Sequence, residues 1–179
     1  MTHTAVGATR SDTVGWGGLA AVGAGAMAIV EVVSPADGAV GSALFLAFLV
    51  LLAGGLLGLH ALQRSAYGRL GTVAFAITLA GVTAQAIAAG GGVVGAQGLQ
   101  PLDDAGSLLL LVGFTVYGAV TARAGLLPRW CGVAIPVAFI GWVAAAVALG
   151  DLGSVVGGLW LGVVWITLGW QLRVAAARA

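Results

Sequence analysis

Charge is the first thing this chain lacks. Only 7% of its 179 residues are charged, and none of the seven basic residues is lysine. A soluble domain carries about 25%. With 60% of residues hydrophobic, the polar surface cannot cover a water-exposed globule, so the expected solvent is lipid. A net charge of +1 excludes nucleic-acid binding driven by phosphate neutralisation. A single cysteine, Cys131, excludes an internal disulfide and a cysteine-based metal site, and reads as a small apolar residue. Two histidines, His3 in the N-terminal segment and His60, are too few and too far apart for a multi-histidine centre, so no metal is expected. There is no phosphate loop, no Gly-x-Ser-x-Gly elbow and no thiol pair. The glycine clusters follow no strand, which removes a dinucleotide fingerprint, and no cofactor is expected. No Ala-x-Ala site follows the first apolar run. Glu31 and Ser34-Pro35-Ala36-Asp37 stand there instead, so the run reads as a retained helix and not a cleaved leader.

What is abundant is apolar length. A spanning helix takes roughly 20 mostly apolar residues. Six segments qualify, at 16–34, 40–62, 69–95, 106–124, 130–150 and 154–173. Residues 1–15 read as a frayed cytoplasmic tail and 174–179 as a second, short one. The third segment ends in Gly90-Gly91-Gly92, a poor helix former. It is expected to stop there, leaving Val93 to Asp104 as the longest outer loop.

The few charges sort by connection. Beyond residue 12, basic residues fall at Arg64 and Arg69, Arg123 and Arg129, and Arg173 and Arg178. Acids fall at Glu31 and Asp37, Asp103 and Asp104, and Asp151. The two signs alternate loop by loop. The positive-inside rule then puts both termini in the cytoplasm. The fold class expected is therefore an all-α integral membrane protein, a six-helix bundle of three tandem hairpins in a bacterial cell membrane. The hairpins show as a repeat: an acid followed by Gly-Ser opens each descending helix, at Gly41-Ser42, Gly106-Ser107 and Gly153-Ser154. Ser caps helix N-termini, and an acid there suits the helix dipole. Capping is thus the ordinary reading of Asp37, Asp104 and Asp151. The alternative is an acidic outer mouth, with Asp103 included, that concentrates cations.

Glu31 is the one carboxylate inside an apolar run. In hydrocarbon such a group faces protein, water or a ligand. It either snorkels to the headgroups or sits in an apolar pocket, where the neutral form is favoured and a proton stays available. Glu31 lies 14 residues after Gly17, and Gln85 lies 14 after Gly71. The repeat therefore puts the two at one level, with Gln85 orienting Glu31 or a substrate. Tyr117 offers a buried phenol in want of a partner. The threonines Thr78, Thr83, Thr115 and Thr121 read as bonded back to their own helices. Trp16, Trp130 and Trp170 fit an interfacial belt. Trp142, Trp160 and Trp165 lie deeper, and with Phe114, Phe139 and Tyr117 they would line an aromatic cavity able to stabilise a cation. Pro136 interrupts the hydrogen bonding of the fifth helix. Gly54-x3-Gly58 and Gly158-x3-Gly162 are close-packing seams, within the chain or between copies in a homo-oligomer.

These residues support three functions. One is a membrane-embedded pocket for a lipophilic small molecule, extending to acid-initiated cyclisation or isomerisation of an isoprenoid by Glu31. The second is a small proton- or cation-coupled transporter or channel. The third is an accessory subunit of a membrane complex. The bilayer itself is the one partner all three share.

Overall fold

The computed structural model describes residues 3–178, with side chains from residue 11 onward. Those residues form six helices, α1 (His3–Val33), α2 (Gly38–Gln63), α3 (Gly68–Val93), α4 (Gln100–Ala124), α5 (Arg129–Leu149) and α6 (Asp151–Ala176). Each contains a stretch long and apolar enough to cross a membrane, from Ser11 onward in α1. The protein is a six-helix, multi-pass membrane bundle. Consecutive helices pack side by side, and α1 closes the ring against α6 in the most extensive of the contacts. The connections 34–37, 94–99 and Gly150 lie at one end of the bundle, called here the acidic end. The connections 64–67 and 125–128 lie at the other, basic end.

Glycine decides where the helices touch. Both seams seen in the sequence face α1. A Cβ built on Gly17 would collide with the Gly58 Cα, and would lie 2.8 Å from Gly58 N and 3.2 Å from Gly54 O. On the opposite side of α1, a Cβ on Gly18 would lie 2.8 Å from Gly169 O, and Gly25 abuts the Gly162 carbonyl. Further along, Gly158 faces Val32. In lipid, where apolar side chains gain little from association, such close backbone approach is what drives packing. The α1–α6 seam runs the whole length of the pair. The α1–α2 seam does not: it loosens after Gly55 against Ala21 and Gly23 against Leu51. Likewise α4 meets α5 tightly near the basic end. There Gly118 approaches Pro136 and the Gly132 carbonyl, the acceptor a helix proline leaves unused. The bundle is therefore solid toward the basic end and splays toward the acidic end.

Several expectations need correction. α1 begins at His3, so residues 3–15 are helical and not frayed. Val14 is only 2% exposed, and once that stretch is packed, extending a proline-free helix backward costs little. Residues 1, 2 and 179 lie outside the described residues. α4 starts at Gln100 with Pro101 in its first turn, where proline loses only an N–H that has no helical partner anyway. Asp103 therefore lies in the first turn of α4 and Asp104 directly after it, and the longest loop shrinks to 94–99. Asp37 precedes α2 but makes no side-chain cap, and no cap bond forms at the start of α4 or α6. Ser42, Ser107 and Ser154 all lie inside helices. The hydrogen-bonded cap thus fails, while the acids keep their place at or near the helix starts, where the dipole favours them, and at one end of the bundle. α5 and α6 are joined by Gly150 alone, at φ 58 and ψ −132, a conformation open in practice only to glycine.

Candidate functional site

The splay leaves a cavity of about 330 Å³ in the acidic half of the bundle, and all six helices contribute to its wall. α1 supplies Ala28, Glu31 and Val32, and α3 supplies Gln85. α4 and α5 add Leu110, Phe114, Phe139 and Trp142. From α6 come Ser154, Gly158, Leu161 and Trp165. α2 presents Phe45, Phe48, Leu49 and Leu52.

The repeat placed Glu31 and Gln85 at one level, and both are on this wall. Glu31 is the only ionisable residue among those lining it. Its side chain is partly buried, and among the described residues no basic side chain or hydrogen-bond donor pairs with it. Gln85 is 7% exposed and held across to α4, its Nε2 donating to Ser107 Oγ at 2.8 Å. That bond fixes the amide plane and leaves the Gln85 carbonyl oxygen free to accept. Ser107, read from sequence as the opening of a helix, is instead the group that orients Gln85.

The aromatic lining is a connected set. Phe114 packs on Phe139 at 5.6 Å between ring centres and on Trp165 at 6.0 Å. Phe139 in turn meets Trp142 at 6.0 Å. Phe45 and Phe48 stack at 6.0 Å on the α2 side. Two sequence candidates are not part of it. Trp160 is 48% exposed. α6 buries Gly157, Gly158, Leu161, Gly162 and Trp165, and helical periodicity turns residue 160 outward to lipid. Tyr117 is fully buried but lies one turn beyond Phe114 toward the basic end, below the cavity floor. Trp16, Trp130 and Trp170 are exposed at 71%, 46% and 63%. They share the basic end, as an interfacial belt would.

Tyr117 belongs instead to a second polar cluster that the sequence did not reveal. The Tyr67 hydroxyl bonds His60 Nδ1, and the His60 ring stacks on Phe75 at 4.1 Å. Tyr117 meets Tyr67 edge-on at 6.0 Å. Nearby, Thr121 Oγ1 donates to Gln63 Oε1 at 3.0 Å, while Gln63 Nε2 and the Tyr117 hydroxyl have no hydrogen-bond partner. His60 is thus a stacked and bonded residue and not a freely solvated one. Thr78, Thr83 and Thr115 do bond back to carbonyls four residues earlier, at 2.8, 2.9 and 2.6 Å; Thr121 is the exception. Cys131 is buried and free.

α2 contributes four cavity residues that sequence reasoning missed. Its run from Leu44 to Leu52 is apolar all round, so no periodicity marks an inward face. Of the acids at the mouth, Asp104 accepts from Gln100 Nε2 at 2.8 Å, and Asp103 lines a second hollow beside the loop 94–99. Asp37 and Asp151 are exposed. Compared with family models, with curated proteins and with solved structures, the chain matches none.

Proposed function

We propose that this protein takes a small lipophilic ligand into the cavity of its acidic half and protonates it from Glu31. The observation that carries this reading is a cavity walled by aromatic and aliphatic side chains with one carboxyl and one fixed amide on it. Ligand sites are of this kind, mostly apolar with a few placed polar groups, and run from about 300 to 1,000 Å³.

The chemistry balances without a cofactor. Glu31 transfers its proton to an alkene carbon of the ligand, leaving a carboxylate and a carbocation. The faces of Phe114, Phe139, Trp142 and Trp165 stabilise that cation. Ring closure or a shift moves the charge along the ligand, and loss of a neighbouring proton back to Glu31 restores the acid. The net reaction is an isomerisation or cyclisation. The Gln85 carbonyl oxygen positions the ligand or the carboxyl. By the distribution of arginine, the cavity opens in the outer half of the cell membrane.

Transport is the less favoured reading. Toward the basic end the core is closed by Leu56, Leu59, Tyr117 and Leu168, each at most 1% exposed. Between the level of Glu31 and the cluster at His60, the buried polar side chain among the described residues is that of Thr78, whose hydroxyl is spent on the Ala74 carbonyl of its own helix.

The test is mass spectrometry of lipids that co-purify with the native protein and with Glu31→Gln. The native protein should carry product and the variant unconverted substrate. Turnover should fall by about 10²–10⁴, the contribution of general acid catalysis. The same lipid on both proteins, or none on either, removes the proposal.

A further inference from the structure

The second hollow, about 450 Å³, lies between the ends of α2 and α3, the loop 94–99 and the first turn of α4. Phe45 belongs to the walls of both this hollow and the main cavity, so the two spaces adjoin at this side chain. Their linings differ. The main cavity is apolar apart from Glu31, Gln85 and Ser154. The second hollow carries Gln97, Gln100 and Asp103.

We infer that the second hollow is the subsite for the polar head of an amphiphilic ligand, and that this head is a hydroxyl or an amine and not a phosphate. The inference rests on the reading of the main cavity as the site of the lipophilic part. Its argument is charge and hydrogen-bonding sense. The Asp103 carboxylate only accepts, and among the described residues nothing donates to it. Gln100 is already tied to Asp104. A head that donates a hydrogen bond completes this set. An anionic head meets Asp103 and Asp104 with nothing to offset them. Each arginine from Arg64 onward stands at the basic end, across helices of about 26 residues or roughly 39 Å at 1.5 Å per residue. That is several times the Debye length of about 8 Å, so those cations do not compensate. Phe45, at the junction, holds the first carbons of the chain between the two spaces.

The test uses one hydrocarbon chain with three heads: farnesol, farnesylamine and farnesyl phosphate. Trp16, Trp130, Trp160 and Trp170 are exposed and are replaced by Phe, so that fluorescence reports only Trp142 and Trp165 on the cavity wall. In nanodiscs of neutral lipid, farnesol and farnesylamine should shift that signal at concentrations at least tenfold lower than farnesyl phosphate. Asp103→Asn should weaken the amine about fivefold, the size of a partly exposed charge pair, and should improve the phosphate. Equal binding of phosphate and alcohol overturns the inference, as does an Asp103→Asn variant that leaves all three unchanged; either result leaves the lipophilic cavity standing. No response to any of the three overturns the cavity reading, and this inference with it.

Discussion

Replacing Gly17 by Ala places a methyl group against backbone, where nothing can rotate away. Its Cβ would overlap the Gly58 Cα and lie 2.8 Å from Gly58 N, so α1 and α2 must separate over their tightest stretch. Overpacking of this kind costs about 1–3 kcal/mol, against a gain of about 0.5–1 kcal/mol from the better helix propensity of Ala. The net expectation is a loss of roughly 1–2 kcal/mol. At about 2–4 °C per kcal/mol for a chain of this size, the thermal midpoint should fall by roughly 2–8 °C. Gly141→Ala supplies the control. Gly141 lies in the middle of α5 with no atom within 4 Å of a built Cβ, so only the propensity gain remains and the midpoint should hold or rise. Gly158→Ala should fall between the two, because its new methyl meets the movable side chain of Val32. The assay is heating of detergent-solubilised protein followed by the surviving fraction on size exclusion. Equal midpoints for Gly17→Ala and Gly141→Ala would refute the claim that backbone contact between α1 and α2 holds the basic half together.

Two further outcomes follow from the cluster at the basic end. Burial pushes the Tyr67 phenol above its ordinary value. The folded state therefore keeps this proton longer than the unfolded chain does. The associated stability is complete below the unfolded value near pH 10, and is lost as the pH rises through the higher folded value. Thermal midpoints measured between about pH 8 and 12 should show that alkaline fall in the native protein and a shallower one in Tyr67→Phe; identical slopes would mean the phenol is as solvated folded as unfolded. Gln63→Met removes the 3.0 Å bond from Thr121, worth about 1 kcal/mol, but also removes a buried amide nitrogen without a partner, a burden of about 1–3 kcal/mol. Its midpoint should match or exceed that of the native protein, and a clear drop would show that Gln63 Nε2 is satisfied in the membrane.

How much of this was legible depends on which force each residue answers to. Spans answer to the thickness of the bilayer, a one-dimensional requirement, and α2 and α3 were placed to within two residues at each end. The segregation of Arg from Asp and Glu likewise survives in three dimensions as two ends of opposite sign. Glu31 and Gln85 stand out in the sequence because a polar side chain in an apolar run has to be accommodated somewhere, and both line the one cavity of the acidic half that all six helices wall. The apolar part of the wall was not legible. In lipid a Phe gains little by turning inward, so inward Phe48 and outward Trp160 carry the same local signal. Their difference comes from the glycine stripes that rotate α2 and α6 against α1. The acids misled for a related reason. Asp37 stands where a cap would stand, but at the mouth of a membrane bundle water satisfies the first N–H groups and the cap bond is not needed.

The two halves of the bundle are made from the same helices and differ in what separates them. Along α1, small residues continue to meet α6 from Gly18 to Val32, while on the α2 side they give out beyond Gly23. From there α2 presents Leu52, Leu49, Phe48 and Phe45, side chains that hold it off. α4 and α5 repeat the pattern, meeting at Gly118 and Gly132 and parting around Phe114, Phe139 and Trp142. Two wedges opening toward the same end give a cavity closed at its floor by Leu56 and Tyr117. Glu31 stands near its upper rim only because α1 follows α6 and not α2. A change at the floor that spread α1 from α2 would alter the position of the carboxyl relative to Gln85, which Ser107 holds independently on α3. The geometry of the proposed acid is thus set along the α1–α6 seam, where Gly25 meets the Gly162 carbonyl and Gly158 meets Val32, and the packing that runs on from the solid basic half also aims the one carboxyl of the cavity wall.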